Sequence, residues 1–136
     1  TLSQIEEALN DSDFVVSILP STKETRPFYQ SHHFTCMKPS AIFLNMGRGD
    51  VVDEEVLIKA LDEGDIAHAI LDVAPLEPLP EEHPFWSHEK ITLTPHISGK
   101  SSQYLPRAIE IFEDNLSQYL IDGTLPVNQI DLKGGY

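Results

Sequence analysis

The chain has 136 residues, the size of one ordinary domain, and its 40% apolar and 23% charged residues are the proportions of a globular protein with a real core. A formal charge of −13, with nine basic residues scattered singly, argues against binding to phosphate backbones or anionic membranes, both of which recruit Lys/Arg clusters. The lone cysteine, Cys36, leaves no internal disulfide and fits a reducing cytoplasm, the first residues lack the basic and apolar regions of a signal peptide, and no apolar run has the length of a membrane span.

In chain order, Leu2, Ile5, Ala8 and Leu9 recur at helical spacing, with Ser3 and Glu6 placed for a capping box. Phe14 to Leu19 is an apolar, β-branched run closed by Pro20 and predicts a buried strand. A short helix follows from Ser31 to Met37, stopped by Lys38-Pro39. Ala41 to Met46 reads as a second strand. Asp53 is placed to N-cap a helix through Val56, Leu57, Ala60 and Leu61 that ends near Gly64. Ile66 to Val73 and Ile91 to Thr94 predict a third and a short fourth strand. A long helix spans about Ser101 to Leu120 with Ile109, Phe112, Leu116 and Tyr119 on one stripe, and Pro106 in its first turns sets a later alternative start. Alternating strands and helices with near-continuous apolar strands predict an α/β fold, a parallel sheet covered on both faces.

Three chemically suggestive residues each lie just past one of these strands. Arg48 sits in Asn45-Met46-Gly47-Arg48-Gly49-Asp50, Glu77 in Leu71-Asp72-Val73-Ala74-Pro75-Leu76-Glu77-Pro78, and His96 in Leu93-Thr94-Pro95-His96. Open α/β sheets place ligands at the carboxyl ends of their strands. A guanidinium that grips a carboxylate, an imidazole that moves a proton and a carboxylate that holds the imidazole suit redox chemistry on an α-hydroxy or α-keto acid. The glycines beside Arg48 would let the backbone approach a ligand and adopt positive φ. The other histidines have no metal-ligand spacing, so no metal site is expected.

Those motifs, together with Leu19-Pro20, Glu77-Pro78-Leu79-Pro80 and His83-Pro84-Phe85-Trp86, resemble the D-2-hydroxyacid dehydrogenase family across essentially the whole chain. The closing Asn128-Gln129-Ile130-Asp131 and Gly135-Tyr136 look most like its glyoxylate/hydroxypyruvate reductase A branch. The resemblance implies a partial Rossmann-type doubly wound sheet, with residues 1–100 as the C-terminal half of an NAD(P)-binding domain. Residues 101–136 would be a long helix and tail returning toward a substrate domain. It implies that Arg48 pairs with the substrate carboxylate, that His96 is the acid/base and that Glu77 hydrogen-bonds the imidazole. Asp72 would lie by the nicotinamide end of NAD or NADP, with Pro20 and Met46 adding contacts there. Trp86 is expected to be a packing anchor. Small 2-keto or 2-hydroxy acids would be the substrates, and a homodimer the full-length form. Two positions depart from the family pattern: Ala74 where a bulky aromatic is common, and Pro27 where glycine is common.

No G-x-G-x-x-G occurs here. The resemblance therefore implies that the phosphate-binding loop and most of the substrate domain belong upstream of Thr1, leaving the first strand with an open edge and the isolated chain inactive. Formate dehydrogenases, which resemble this family, pair the histidine with glutamine, so Glu77 argues against them. A corepressor-type scaffold on the same fold, retaining the same residues, is the non-catalytic alternative.

Overall fold

Four short parallel strands run side by side in sequential order in the computed structural model, which describes residues 4–133. They are β1 (Phe14–Ser17), β2 (Ile42–Asn45), β3 (His68–Leu71) and β4 (Ile91–Leu93). Val15, Phe43, Ala69 and Ile91 stand abreast, and the next-but-one row is Ser17, Asn45, Leu71 and Leu93. Successive side chains alternate between faces, so both rows lie on the same face. That face joins the core, with Phe34, Phe43, Leu57, Leu61 and Ile66 fully enclosed. Burying each such side chain contributes about 1.5–3 kcal/mol. Tyr29 meets Phe43 edge to face at 4.9 Å between ring centroids.

The opposite face differs from the sequence expectation. Phe14, Val16 and Ile18 are 65%, 55% and 77% exposed, so no described element before residue 99 covers them, although a near-continuous apolar strand predicts burial on both sides. Strand β1 is also one edge of the sheet.

The helices form where capping chemistry allows. α1 (Ile5–Asp11) buries Leu9; Leu2 of its expected apolar stripe and Ser3 of its expected capping box lie outside the described residues, as do Gly135 and Tyr136. α2 (Ser31–Thr35) begins with a reciprocal cap in which the His33 Nδ1 accepts the Gln30 amide at 3.0 Å. α3 (Glu54–Glu63) is capped by Asp53, whose carboxylate accepts from the amides of Glu55 and Val56, and it stops at Gly64 in the left-handed conformation, φ 80°. Both ends match the sequence expectation.

The chain divides into two units, residues 1–98 and 99–136. The second contains α4 (Tyr104–Asp122), ended by Gly123 at φ 77°. Pro106 is the third helical residue, where its missing N–H would have had no helical partner. Ile109, Phe112, Leu116 and Tyr119 are all exposed. After the helix, Asn115 holds the returning chain by donating to the Val127 carbonyl and accepting from its amide. Among the described residues no helix is long and apolar enough to cross a membrane.

Candidate active site

Parallel strands put their carboxyl ends on one rim, and the segments after β2, β3 and β4 carry Arg48, Glu77 and His96 there. Two of the three meet directly. The His96 Nδ1 lies 2.7 Å from Glu77 Oε2, and the other carboxylate oxygen accepts the Ala74 amide at 2.9 Å. The imidazole N–H, followed by the Ala74 amide, holds the Glu77 carboxyl below its ordinary range, so it is ionised near neutrality. An ionised carboxylate only accepts hydrogen bonds, which places a proton on Nδ1 and directs Nε2 chemistry elsewhere. Nε2 has no hydrogen-bond partner among the described residues, and the His96 side chain is 49% exposed.

Two other histidines pair with carboxylates, and they differ from His96 at the second ring nitrogen. His83 accepts the Phe85 amide at Nδ1 and binds Glu54 through Nε2 at 2.7 Å. His88 accepts the Lys90 amide at Nδ1 and binds Asp62 through Nε2 at 3.3 Å. Both rings have their two nitrogens occupied, so they brace loops. Only His96 of these three keeps a nitrogen open. Among the described residues no three His, Cys, Asp or Glu side chains gather to hold a metal ion.

Asp72, 1% exposed, directly follows β3 and turns its carboxylate into the His96 segment. It accepts the Thr94 hydroxyl and the amides of Ile97 at 3.0 Å and Ser98 at 2.8 Å. Burial pushes this carboxyl up, but the donors from Ser98, Thr94 and Ile97 outweigh it and hold it well below the usual carboxylate range.

Arg48 is exposed and donates to the carbonyl of its neighbour Gly47 at 2.8 Å, and among the described residues it forms no ion pair. Its turn is shaped by Asn45, which the sequence reading quoted within a motif without giving it a role. The buried Asn45 amide donates to the Arg48 carbonyl at 2.8 Å and accepts the Gly47 amide at 3.2 Å. The two glycines act differently from the expectation. Neither has a positive φ, and each approaches protein backbone instead of open space. A Cβ at Gly47 would come within 2.6 Å of the Leu19 carbonyl oxygen, and one at Gly49 would collide with Ala74 and Pro75. The Arg48 turn is thereby keyed between the segment after β1 and the segment that carries Glu77.

Asp72, Glu77 and His96 line a cavity of about 300 Å³ with Leu79, Pro95 and Trp86. Trp86, expected as a packing anchor, is 59% exposed, donates its indole N–H to the Pro80 carbonyl and forms a wall of this cavity. Pro20 is exposed and Met46 half-buried at the ends of β1 and β2. Ile18, just after β1, is also exposed at this rim, and a glycine loop for pyrophosphate is absent from the sequence.

Comparison with known proteins agrees with this architecture. Residues 1–98 match the family described as D-isomer specific 2-hydroxyacid dehydrogenase, NAD binding domain. Glyoxylate/hydroxypyruvate reductase A of Photorhabdus laumondii is 35% identical over 133 residues, covering 98% of this chain and 42% of that protein. Glyoxylate/hydroxypyruvate reductase B of Shigella boydii is 46% identical over 99 residues, or 73% of this chain and 31% of that protein. The crystal structure of an NADPH-dependent glyoxylate/hydroxypyruvate reductase from Sinorhizobium meliloti, in complex with NADP and sulfate, superposes with a TM-score of 0.87 at 27% identity, covering 98% of this chain and 43% of that one. A D-isomer specific 2-hydroxyacid dehydrogenase from Xanthobacter autotrophicus in complex with NADPH and MES gives 0.84 at 35% identity, covering 99% and 55%. The chain thus spans less than half the length of both reductases it matches in sequence.

Proposed function

Since this chain belongs to the D-isomer specific 2-hydroxyacid dehydrogenase family, we propose that it supplies the catalytic rim of an NAD(P)-dependent reductase of small 2-keto acids, glyoxylate and hydroxypyruvate first among them. The observation that carries this is the His96–Glu77 pair with Nε2 left open. In this reading Arg48 leaves its Gly47 carbonyl to grip the substrate carboxylate through two parallel N–H bonds. His96 donates its Nε2 proton to the carbonyl oxygen, and Glu77 stabilises the imidazolium before transfer and holds the tautomer. The dinucleotide, when bound, supplies the hydride to the carbonyl carbon. The product is a D-2-hydroxy acid, and the reverse reaction needs His96 neutral at Nε2 to take the proton back.

Pro20 and Met46 would contact the nicotinamide end of the cofactor, with Asp72 beneath. Residues 1–100 would serve as the C-terminal half of the cofactor domain, and residues 101–136 would lead back to a substrate domain, in a cytoplasmic homodimer. The test is dinucleotide oxidation by the complete polypeptide containing this sequence, with glyoxylate and hydroxypyruvate, beside His96→Ala. Turnover should collapse in the variant, with cofactor binding largely kept. Near-normal reduction by His96→Ala overturns the reading.

A further inference from the structure

The bonds of Asp72 converge on the backbone that carries His96. Thr94 lies two positions before the histidine, and Ile97 and Ser98 are the two after it; all three donate to this one carboxylate. Between them His96 sits at φ 51°, in the left-handed region that residues with a Cβ occupy at a cost. Such a conformation persists where its surroundings over-determine it. Because Asp72 is 1% exposed, little water competes for its bonds, and an ionised carboxylate tolerates that burial only when donors satisfy it.

We propose that Asp72 is a positioning residue that clamps Thr94, Ile97 and Ser98 so that the His96 ring meets Glu77 through Nδ1 and leaves Nε2 open. The catalytic meaning rests on the function proposed above, but the clamp can be tested without turnover.

Asp72 acts on Glu77 in two ways with opposite signs. Its negative charge, acting through space, makes Glu77 harder to ionise. Its clamp keeps the His96 N–H on Glu77, the largest influence holding that carboxyl low. Asp72→Asn removes the charge and also removes an acceptor, since a side-chain amide keeps one carbonyl oxygen and presents N–H groups where the loop donors point. If Asp72 acted through charge alone, the Glu77 carboxyl would titrate lower in this variant. If it is a clamp, the His96 bond loosens and Glu77 titrates higher.

The experiment follows the Glu77 side-chain carboxyl carbon by NMR against pH in the full 136-residue chain. An upward shift of about half a unit to one unit is expected in Asp72→Asn, with faster exchange of the Ile97 and Ser98 amides. A downward shift, or none, overturns the proposal. Thr94→Val preserves charge and shape while removing one donor, and it carries the test if Asp72→Asn fails to fold. A smaller upward shift is expected there, and an unmoved Glu77 titration with unmoved amide exchange overturns the clamp. Loss of keto-acid reduction in the complete wild-type enzyme would sink the functional reading and leave this result standing.

Discussion

A Cβ placed on Gly49 would lie 2.0 Å from the carbonyl carbon of Ala74, so the turn bearing Arg48 and the turn bearing Glu77 run backbone against backbone. Neither backbone can bend away as a flexible side chain can. Gly49→Ala should therefore destabilise the chain by about 1–3 kcal/mol, the cost of overpacking a close contact. In the complete enzyme it should also lower kcat/KM, because the cation and the dyad lose their common reference. Denaturant melts and steady-state kinetics check both, and a variant with unchanged stability would mean the two turns separate freely.

Arg48→Lys keeps the charge and loses the planar fork. Hydrogen bonds to charged groups contribute about 1.5–3 kcal/mol, so kcat/KM for keto-acid reduction should fall roughly 10- to 100-fold. Full activity with lysine would show that a point charge suffices at this position.

Glu77→Gln replaces an acceptor-only carboxylate with a neutral amide beside His96. Reduction draws on the imidazolium, which the carboxylate favours, so kcat for reduction should fall off at lower pH in the variant. Oxidation of the hydroxy acid uses the neutral ring and should suffer less at high pH. Profiles of kcat in both directions test this, provided chemistry limits turnover. Superimposable profiles would demote Glu77 to a loop residue.

A separate pH dependence belongs to folding. Burial, then the neighbouring His32, pushes His33 below its ordinary value of 6.5, while Glu6 pushes it up more weakly. His33 is therefore neutral when folded, and its Nδ1 must stay unprotonated to accept the Gln30 amide. A group whose value is depressed by folding contributes stability that is complete above its unfolded value and is lost as pH falls through its folded value. Thermal melts should show Tm declining as pH drops below about 6.5. His33→Gln keeps an acceptor at the third helical position and should flatten that slope. An identical slope in the variant would assign the effect to other groups.

Much of this was legible from residues alone where local chemistry decides. The four strands in order, the Asp53 cap and the Gly64 stop follow from apolar runs and side-chain preferences that act within a few positions. The strand ends likewise placed Arg48, Glu77 and His96 on one rim. What escaped depends on partners distant in sequence. Gly47 and Gly49 suggested conformational freedom, whereas their missing side chains admit Leu19 and Ala74. Asp72 drew notice only as a carboxylate after an apolar strand, and nothing near it in sequence announced that Thr94, Ile97 and Ser98, more than twenty positions later, would donate to its oxygens. The apolar run from Phe14 to Leu19 reports a strand with apolar residues on both faces but not what covers Phe14, Val16 and Ile18. Nor did the sequence announce that the Trp86 indole is held by one carbonyl and leaves most of the ring open.

The uncovered side of β1 has a consequence for the chain as a colloid. Its exposed edge and its apolar row of Phe14, Val16 and Ile18 form a surface to which a second molecule can adhere. At neutral pH the formal charge of −13 opposes such encounters by mutual repulsion. That repulsion fades as the solution is acidified toward the isoelectric point near 4.6, and it is screened by salt at any pH. Light scattering should therefore rise sharply on approach to that pH and at lower protein concentration in high salt. Replacing Val16 with lysine should postpone both transitions, because one inserted charge interrupts the middle of the adhesive row.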